Sequence, residues 1–389
     1  MLSRALLLAG VLAGTSVVAV DAPLQAFTSA EKIAIPVPAG AHGLRFSGGR
    51  ALYASWIDAK GAVQVSTWAG AAWSAPASLG KADESATGGR EPIVLERRDG
   101  SLIARWFEEG RTLRASTNTA GKWTAAATLG AGMGSGAGDF AWIADPAITA
   151  AFKVAADGDK DTGALFRESI DDAGKSRSVR VVGVPIDATL SVTRWMSDNL
   201  SIVALSRDVP RPNGLGRYRT RYLIVGDDGA ESHMRDVSGT LSMTSKDGTR
   251  LPPVEDSASG PWVRITADQS VGAAWVASDP ANTVCAAFES AKGSHPLVRA
   301  TSVKPIATVA LDFASDGTVL VAWSSDDGIF GIRTNVMTDR SSTAERIAKD
   351  AVSPKILWTG SIRGDQFIAW SSGSPLRYTL SHVYAPRKK

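Results

Sequence analysis

The 389-residue chain has a single cysteine, Cys285, which excludes an internal disulfide framework and a cysteine-built zinc site. The fold therefore rests on packing, with Cys285 in "TVCAAF" read as a small buried hydrophobe on a strand. Only 7% of residues are aromatic, and the net charge is +3, part of it in the terminal "RKK". No stripe of basic and aromatic residues is present, so nucleic acid is not an expected partner. After the first 26 residues no window approaches the roughly 20 apolar residues that cross a bilayer. Long helical periodicity is also missing, which excludes an α-solenoid. The four histidines, His42, His233, His295 and His382, show no paired spacing, and no Ser-His-Asp set, phosphate loop or dinucleotide fingerprint is apparent.

What is there begins with an export signal. Arg4 supplies the positive region, Ala5 to Val20 the apolar stretch, and small residues follow, with cleavage after Ala19 or Ala26 and disfavoured after Ala22 by Pro23. The reading is a signal over 1–26, one domain over 27–386 and a basic tail over 387–389, in a periplasmic or extracellular monomer with no spanning segment once mature.

Five short apolar runs end in tryptophan: "ALYASW" at Trp56, "SLIARW" at Trp106, "SVGAAW" at Trp275, "TVLVAW" at Trp323 and "DQFIAW" at Trp370. "ITAAF" at Phe152 and "LSIVAL" at Leu205 fit the same phase, giving spacings of 50, 46, 53, 70, 48 and 47 residues. Around each run lie further runs of four to eight residues, rich in β-branched and aromatic types and bounded by Gly, Asp and Asn, which is hairpin chemistry. Four strands per ~40 to 50 residues predicts an all-β, seven-bladed β-propeller of four-stranded antiparallel blades. A tryptophan at one place in each blade would fill the gap between neighbouring sheets.

The seventh repeat is one strand short. "SAEKIA" (29–34) near the start nearly repeats "TAERIA" (343–348), the outer strand of blade six, so the N-terminal hexamer is expected to complete blade seven and close the ring. The extra length before Trp275 is an insertion at 238–261, polar and rich in Gly and Ser, read as a surface loop or cap.

In a propeller the turns between strands two and three share one face with the crossovers between blades. The unusual segments fall there: "GKADESATGGREP" (80–92), "GAGMGSGAGD" (130–139), "AADGDKDTG" (155–163), "SRDVPRPNGLGRYR" (206–219) and the insertion. In the third of these, Asp157, Asp159 and Asp161 stand at alternate positions, a spacing that can wrap Ca²⁺, although the bidentate Glu of an EF-hand loop is missing. No other cofactor is expected.

Three hairpins between strands three and four, "STWAGAAW" (66–73), "STNTAGKW" (116–123) and "SIDDAGKS" (169–176), resemble the Ser-x-Asp-x-Gly-x-Thr-Trp Asp boxes of sialidases and related propellers. Each keeps the first Ser, and the first two keep the final Trp. "REPIVLERRDGSLIARWFEEGR" (90–111) is similar to the Arg-Ile-Pro and Asp-Gly hairpin of that family, whose arginine helps clamp a substrate carboxylate. The resemblance makes Arg90, Arg194, Arg217, Tyr218 and Arg264 the candidate ligand-binding residues. Arg90, Arg194 and Arg264 are placed near the starts of inner strands, and Tyr218 on the crossover face. The late tyrosines, Tyr378 and Tyr384, do not reproduce the family's nucleophile position, and seven repeats depart from its usual six blades. The expected function is therefore a module binding a glycan or protein on the crossover face; the alternatives are a sialidase-like glycoside hydrolase on an acidic sugar and an accessory subunit of an envelope assembly.

Overall fold

The computed structural model describes residues 32–384 except 84–90, 134–138, 145–147, 172, 195–200, 209–217, 227–234, 237–240, 242–243, 245–247, 249, 255–256, 258–260, 266–269, 291–292, 295–297, 315–316, 336–339, 350 and 363–364. The alternating runs become antiparallel meanders, because two-sided burial favours β-branched and aromatic residues and the Gly, Asp and Asn punctuation turns each strand back. The described residues form seven antiparallel sheets. Sheet one comprises His42–Gly48, Leu52–Ile57, Ala62–Trp68 and Ala77–Lys81. Sheet two comprises Ile93–Glu96, Leu102–Glu108, Thr112–Thr119 and Ala127–Gly130. Sheet three comprises Asp139–Ala144, Ile148–Asp157, Asp159–Asp171 and Ser176–Pro185, and sheet four Thr189–Arg194, Ser201–Asp208, Tyr218–Val225 and Arg235–Asp236. Sheet five comprises Trp262–Ile265, Val271–Ala277, Thr283–Ser290 and Val298–Thr301, and sheet six Ile306–Phe313, Thr318–Ser325, Gly328–Asn335 and Glu345–Ala348. Sheet seven comprises Lys355–Ile362, Asp365–Ser372 and Arg377–Tyr384, and its fourth strand is Lys32–Ala34. Among the described residues no helix is long and apolar enough to cross a membrane.

The fourth strand of sheet seven joins the two ends of the described chain. Lys32, Ile33 and Ala34 pair with Ser381, Leu380 and Thr379, and the Ile35 amide donates to the Tyr378 carbonyl at 3.0 Å. Glu345–Ala348 occupies the same outer place in sheet six, so the two near-identical hexamers supply equivalent strands. They also meet: Lys32 Nζ donates to the Lys349 carbonyl at 3.2 Å.

Among the described residues the core forms seven clusters, one between each pair of consecutive sheets, including one between sheets seven and one. All seven repeat positions lie on the second strand of their sheet. Trp56, Trp106, Trp275, Trp323 and Trp370 are buried, and each packs in the gap toward the preceding sheet. Phe152 differs. It packs toward sheet four, while its neighbour Ala151 faces sheet two. Successive residues of a strand point to opposite faces, so the repeat in sheet three is one residue out of phase. The gap between sheets two and three is filled by Trp142, on the adjacent strand and paired with Ala151, with its ring 5.1 Å from Phe107 in an edge-on contact.

The residue before two of the tryptophans has a use of its own. Where it is not Ala it reaches across a gap: Ser55 Oγ donates to the Pro92 carbonyl at 2.6 Å, and Arg105 donates to Thr149 Oγ1 at 2.9 Å. Cys285 is fully buried opposite Trp275, and burial pushes its thiol up to about 12, as suits an inert core residue. Part of the insertion, read above as a surface loop or cap, is described. Leu241, Leu251 and Val254 are buried against Trp275 between sheets four and five, and Ser257 bridges to Ala277, so part of the segment is core.

Candidate functional site

In an antiparallel meander the turns after the first and third strands fall at one end of a sheet. The turn after the second strand and the link to the next sheet fall at the other. Several candidate residues lie outside the described residues, namely Arg90 and Arg217 with their side chains and backbone. Arg194 ends the first strand of sheet four, paired with Ser201, and Tyr218 opens the third strand, paired with Asp208. Their side chains are not among those described.

Arg264 is fully described. It is the third residue of the four-residue first strand of sheet five rather than near its start, as is Arg194 the last of its strand. Its NH2 donates to the Thr359 carbonyl of sheet seven at 2.7 Å, and its Nε stands 3.9 Å from Asp312 Oδ1 of sheet six. Gln366 Nε2 donates to the other Asp312 oxygen at 3.4 Å. Burial pushes the Asp312 carboxyl up to about 6, against the opposing pull of Arg264. These groups tie the first strands of three consecutive sheets together toward the ends of those strands.

Arg45, on the first strand of sheet one, was not singled out by any motif. It reaches past sheet two to the Trp142 carbonyl at 3.2 Å, with its guanidinium 5.4 Å from the Trp142 ring centroid. Burial holds this guanidinium below its usual range, partly offset by Glu91. Arg45 and Arg264 thus act as struts between first strands, each engaged with a backbone carbonyl.

Asp157 accepts from both Nε and NH2 of Arg180, at 2.9 and 2.7 Å, across the edge of sheet three. Its carboxylate is therefore committed to an ion pair. The side chains of Asp159 and Asp161 lie outside those described, and among the described residues no group of three His, Cys, Asp or Glu side chains could hold a metal.

The first two box-like hairpins share one geometry. Ser66 Oγ donates to the Ser74 carbonyl and Ser116 Oγ to the Thr124 carbonyl, both at 2.8 Å. Trp73 and Trp123 pair across the turn with Trp68 and Asn118. In the third hairpin Asp171 takes over, its Oδ1 accepting from the Ala173 and Lys175 amides at 3.0 and 2.8 Å.

An open cleft of about 580 Å³ lies on the crossover end between sheets six and seven. Asp326 and Asp327 line it from the turn between the second and third strands of sheet six, Arg346 from the fourth strand, and Ala351, Val352 and Ser353 from the link to sheet seven. The turn is set by Gly328, whose φ of +134° is a conformation that L side chains rarely adopt, and where a Cβ would collide with the Ala348 carbonyl. Arg346 is steadied 5.7 Å from the Phe330 ring centroid. Ser353 is itself held at φ +46°, and the Val352 carbonyl accepts from the Gly373 amide at 2.9 Å. The cleft therefore presents two carboxylates, a guanidinium and a hydroxyl on a fixed backbone, a set that both accepts and donates hydrogen bonds.

No family model matches the chain, and no curated protein matches it. Among solved structures, an ulvan lyase described as a new polysaccharide lyase family, PL25, aligns with TM-score 0.53 at 10% identity, over 90% of this chain and 96% of that one. The polysaccharide lyase Uly1 aligns with TM-score 0.51 at 10% identity, over 90% of each chain. A lectin from Aleuria aurantia aligns at TM-score 0.42 and 10% identity, over 90% of this chain and all of that one. At 10% identity the likeness to the two lyases is one of fold alone, a β-propeller-like arrangement of four-stranded antiparallel sheets.

Proposed function

We propose that the chain is an exported, closed seven-bladed propeller of the sialidase-like kind that serves as a glycan-binding module through its crossover face. Closure is supported by the cyclic order of the core clusters and by the pairing of the first described strand with the last. The sialidase-like kinship is supported by the serine-to-carbonyl hairpins at Ser66 and Ser116. The observation that carries the function is the cleft of Asp326, Asp327, Arg346 and Ser353. A hydroxyl-rich ligand needs acceptors for its O–H groups and donors for its oxygens within one shallow surface, and this cleft supplies both, beside the apolar Ala351 and Val352. The arginine struts count against the hydrolase reading, since Arg264 is engaged by Asp312 and the Thr359 carbonyl.

The test is a glycan array with the purified mature chain, followed by calorimetry on the best binder. Asp327→Asn and Arg346→Ala are each expected to weaken binding at least tenfold, which is about 1.4 kcal/mol. Unchanged affinity in both variants would refute the assignment. Turnover of a fluorogenic sialoside that disappears in Arg90→Ala would replace it with the hydrolase reading. Export is checked by fractionating cells that express the full chain and a form lacking residues 1–26.

A further inference from the structure

A second cavity, of about 210 Å³, opens at the opposite end of the sheets, at the seam where the first and last described strands pair. Its walls come from three places: Ile33 of the N-terminal strand; Arg50, Trp68, Ala69 and Gly70 of sheet one; and Ile362, Asp365, Phe367 and His382 of sheet seven. The aromatic wall is continuous. The His382 ring stacks on Phe367 at 4.7 Å and 21°, and Phe367 meets Trp68 edge-on at 5.1 Å. Polar groups ring this wall. Asp365 Oδ2 lies 3.4 Å from His382 Nε2, and Arg50 is fixed at the rim by Glu96, 3.3 Å from its Nε, and by the Arg98 carbonyl. One buried ring nitrogen of a lining residue, Trp68 Nε1, has no hydrogen-bond partner among the described residues.

From this cavity we infer a second binding site, for a single neutral sugar residue. The volume falls below the ~300 Å³ at which drug-sized ligands begin, which suits a single ring. A pyranose has an apolar C–H face and a rim of hydroxyls, which matches an aromatic wall edged by Asp365 as acceptor and the Arg50 guanidinium as donor. The two charged groups at the rim each face an oppositely polarised partner, Arg50 with Glu96 and Asp365 with His382. No uncommitted cation waits for a carboxylate, so a neutral residue is selected over an acidic one. The site is independent of the crossover-face cleft: the two share no residue and lie at opposite ends of the sheets.

Saturation-transfer NMR with the mature chain and a panel of methyl glycosides of neutral and acidic monosaccharides tests this. At least one neutral glycoside is expected to receive saturation. Its Kd is expected to rise at least tenfold in Asp365→Asn, and binding is expected to vanish in Ala69→Trp, which fills the cavity from an exposed position. Asp327→Asn, in the other cleft, should leave it unchanged, so the two sites fail separately. Thermal unfolding of each variant confirms that it is folded. Absence of transfer to every neutral glycoside, or binding that survives both seam variants, would overturn the inference. Transfer only to N-acetyltryptophanamide added as a competitor would overturn it in favour of an aromatic peptide side chain.

Discussion

Replacing Ile35 by Ala should open the molecule at its seam. Ile35 follows the strand Lys32–Ala34 and is 5% exposed, packed with Phe46, Leu52, Trp56, Trp68, Phe367 and Leu380. Ile→Ala in a core costs ~2–5 kcal/mol, and a site at the end of a strand relaxes more easily than one at the centre, so about 3 kcal/mol is expected. That is roughly a 150-fold fall in the folding equilibrium constant at 1.4 kcal/mol per decade. Val37, 9% exposed in the same cluster, shares neighbours with Ile35, so the double variant should cost less than the sum of the two. The backbone bond from the Ile35 amide to the Tyr378 carbonyl is kept in the Ala variant, which isolates the side-chain contribution. Urea unfolding supplies the magnitude, and amide hydrogen exchange supplies the place. Protection should fall first in Arg377–Tyr384, the strand on which the N-terminal strand pairs. Val303→Ala, at a residue 92% exposed, is the control and should stay within about 0.5 kcal/mol. An Ile35→Ala cost as small as the control's, or exchange that rises elsewhere before 377–384, would show that the N-terminal strand does not hold sheets seven and one together.

Two further outcomes follow from buried groups. Because the Asp312 carboxyl is pushed up to about 6, the folded chain holds this proton more tightly than the unfolded chain, whose carboxyl titrates near ~3.9; the contribution is present below that value and is lost as pH rises through about 6. The loss approaches ~3 kcal/mol at 1.36 kcal/mol per unit, and urea midpoints between pH 4 and 7 in wild type and Asp312→Asn check it; an equal slope in both would remove Asp312 as the cause. Trp142→Ala should cost about 3–5 kcal/mol by urea unfolding despite standing outside the seven-fold repeat, and a cost below about 1 kcal/mol would mean the gap between sheets two and three is filled by something else.

The repeat was legible because the same local demand recurs. A second strand buried on both faces needs an apolar run, and the gap beside it needs one large ring, so Trp56, Trp106, Trp275, Trp323 and Trp370 stand in register. The missing outer strand of sheet seven was legible for a related reason: an edge strand has few sequence requirements, and two similar hexamers met them in the same way. Phe152 was misleading because a one-residue shift leaves the spacing nearly intact yet turns the side chain to the other face. The signal that would have caught it is Trp142 beside a run of alanines, a large residue on one strand matched to a small one on the next.

The sites were far less legible. Arg45 meets Trp142 across 97 positions and Arg264 meets Thr359 across 95, and neither distance leaves a motif. Leu241, Leu251 and Val254 sit in a polar segment whose composition reads as loop, and only the gap between sheets four and five gives them a place. The seam cavity draws on residues from 33 to 382, so nothing local announces it.

By itself, then, the sequence determined the all-β architecture, the repeat and the equivalence of its two hexamers, because each follows from burial patterns that act over a few residues. Only the tertiary structure decided which face each ring fills, which arginines are engaged as struts and where cavities remain. Those depend on how neighbouring sheets approach one another, and that approach is set by the sum of side chains contributed from distant parts of the chain.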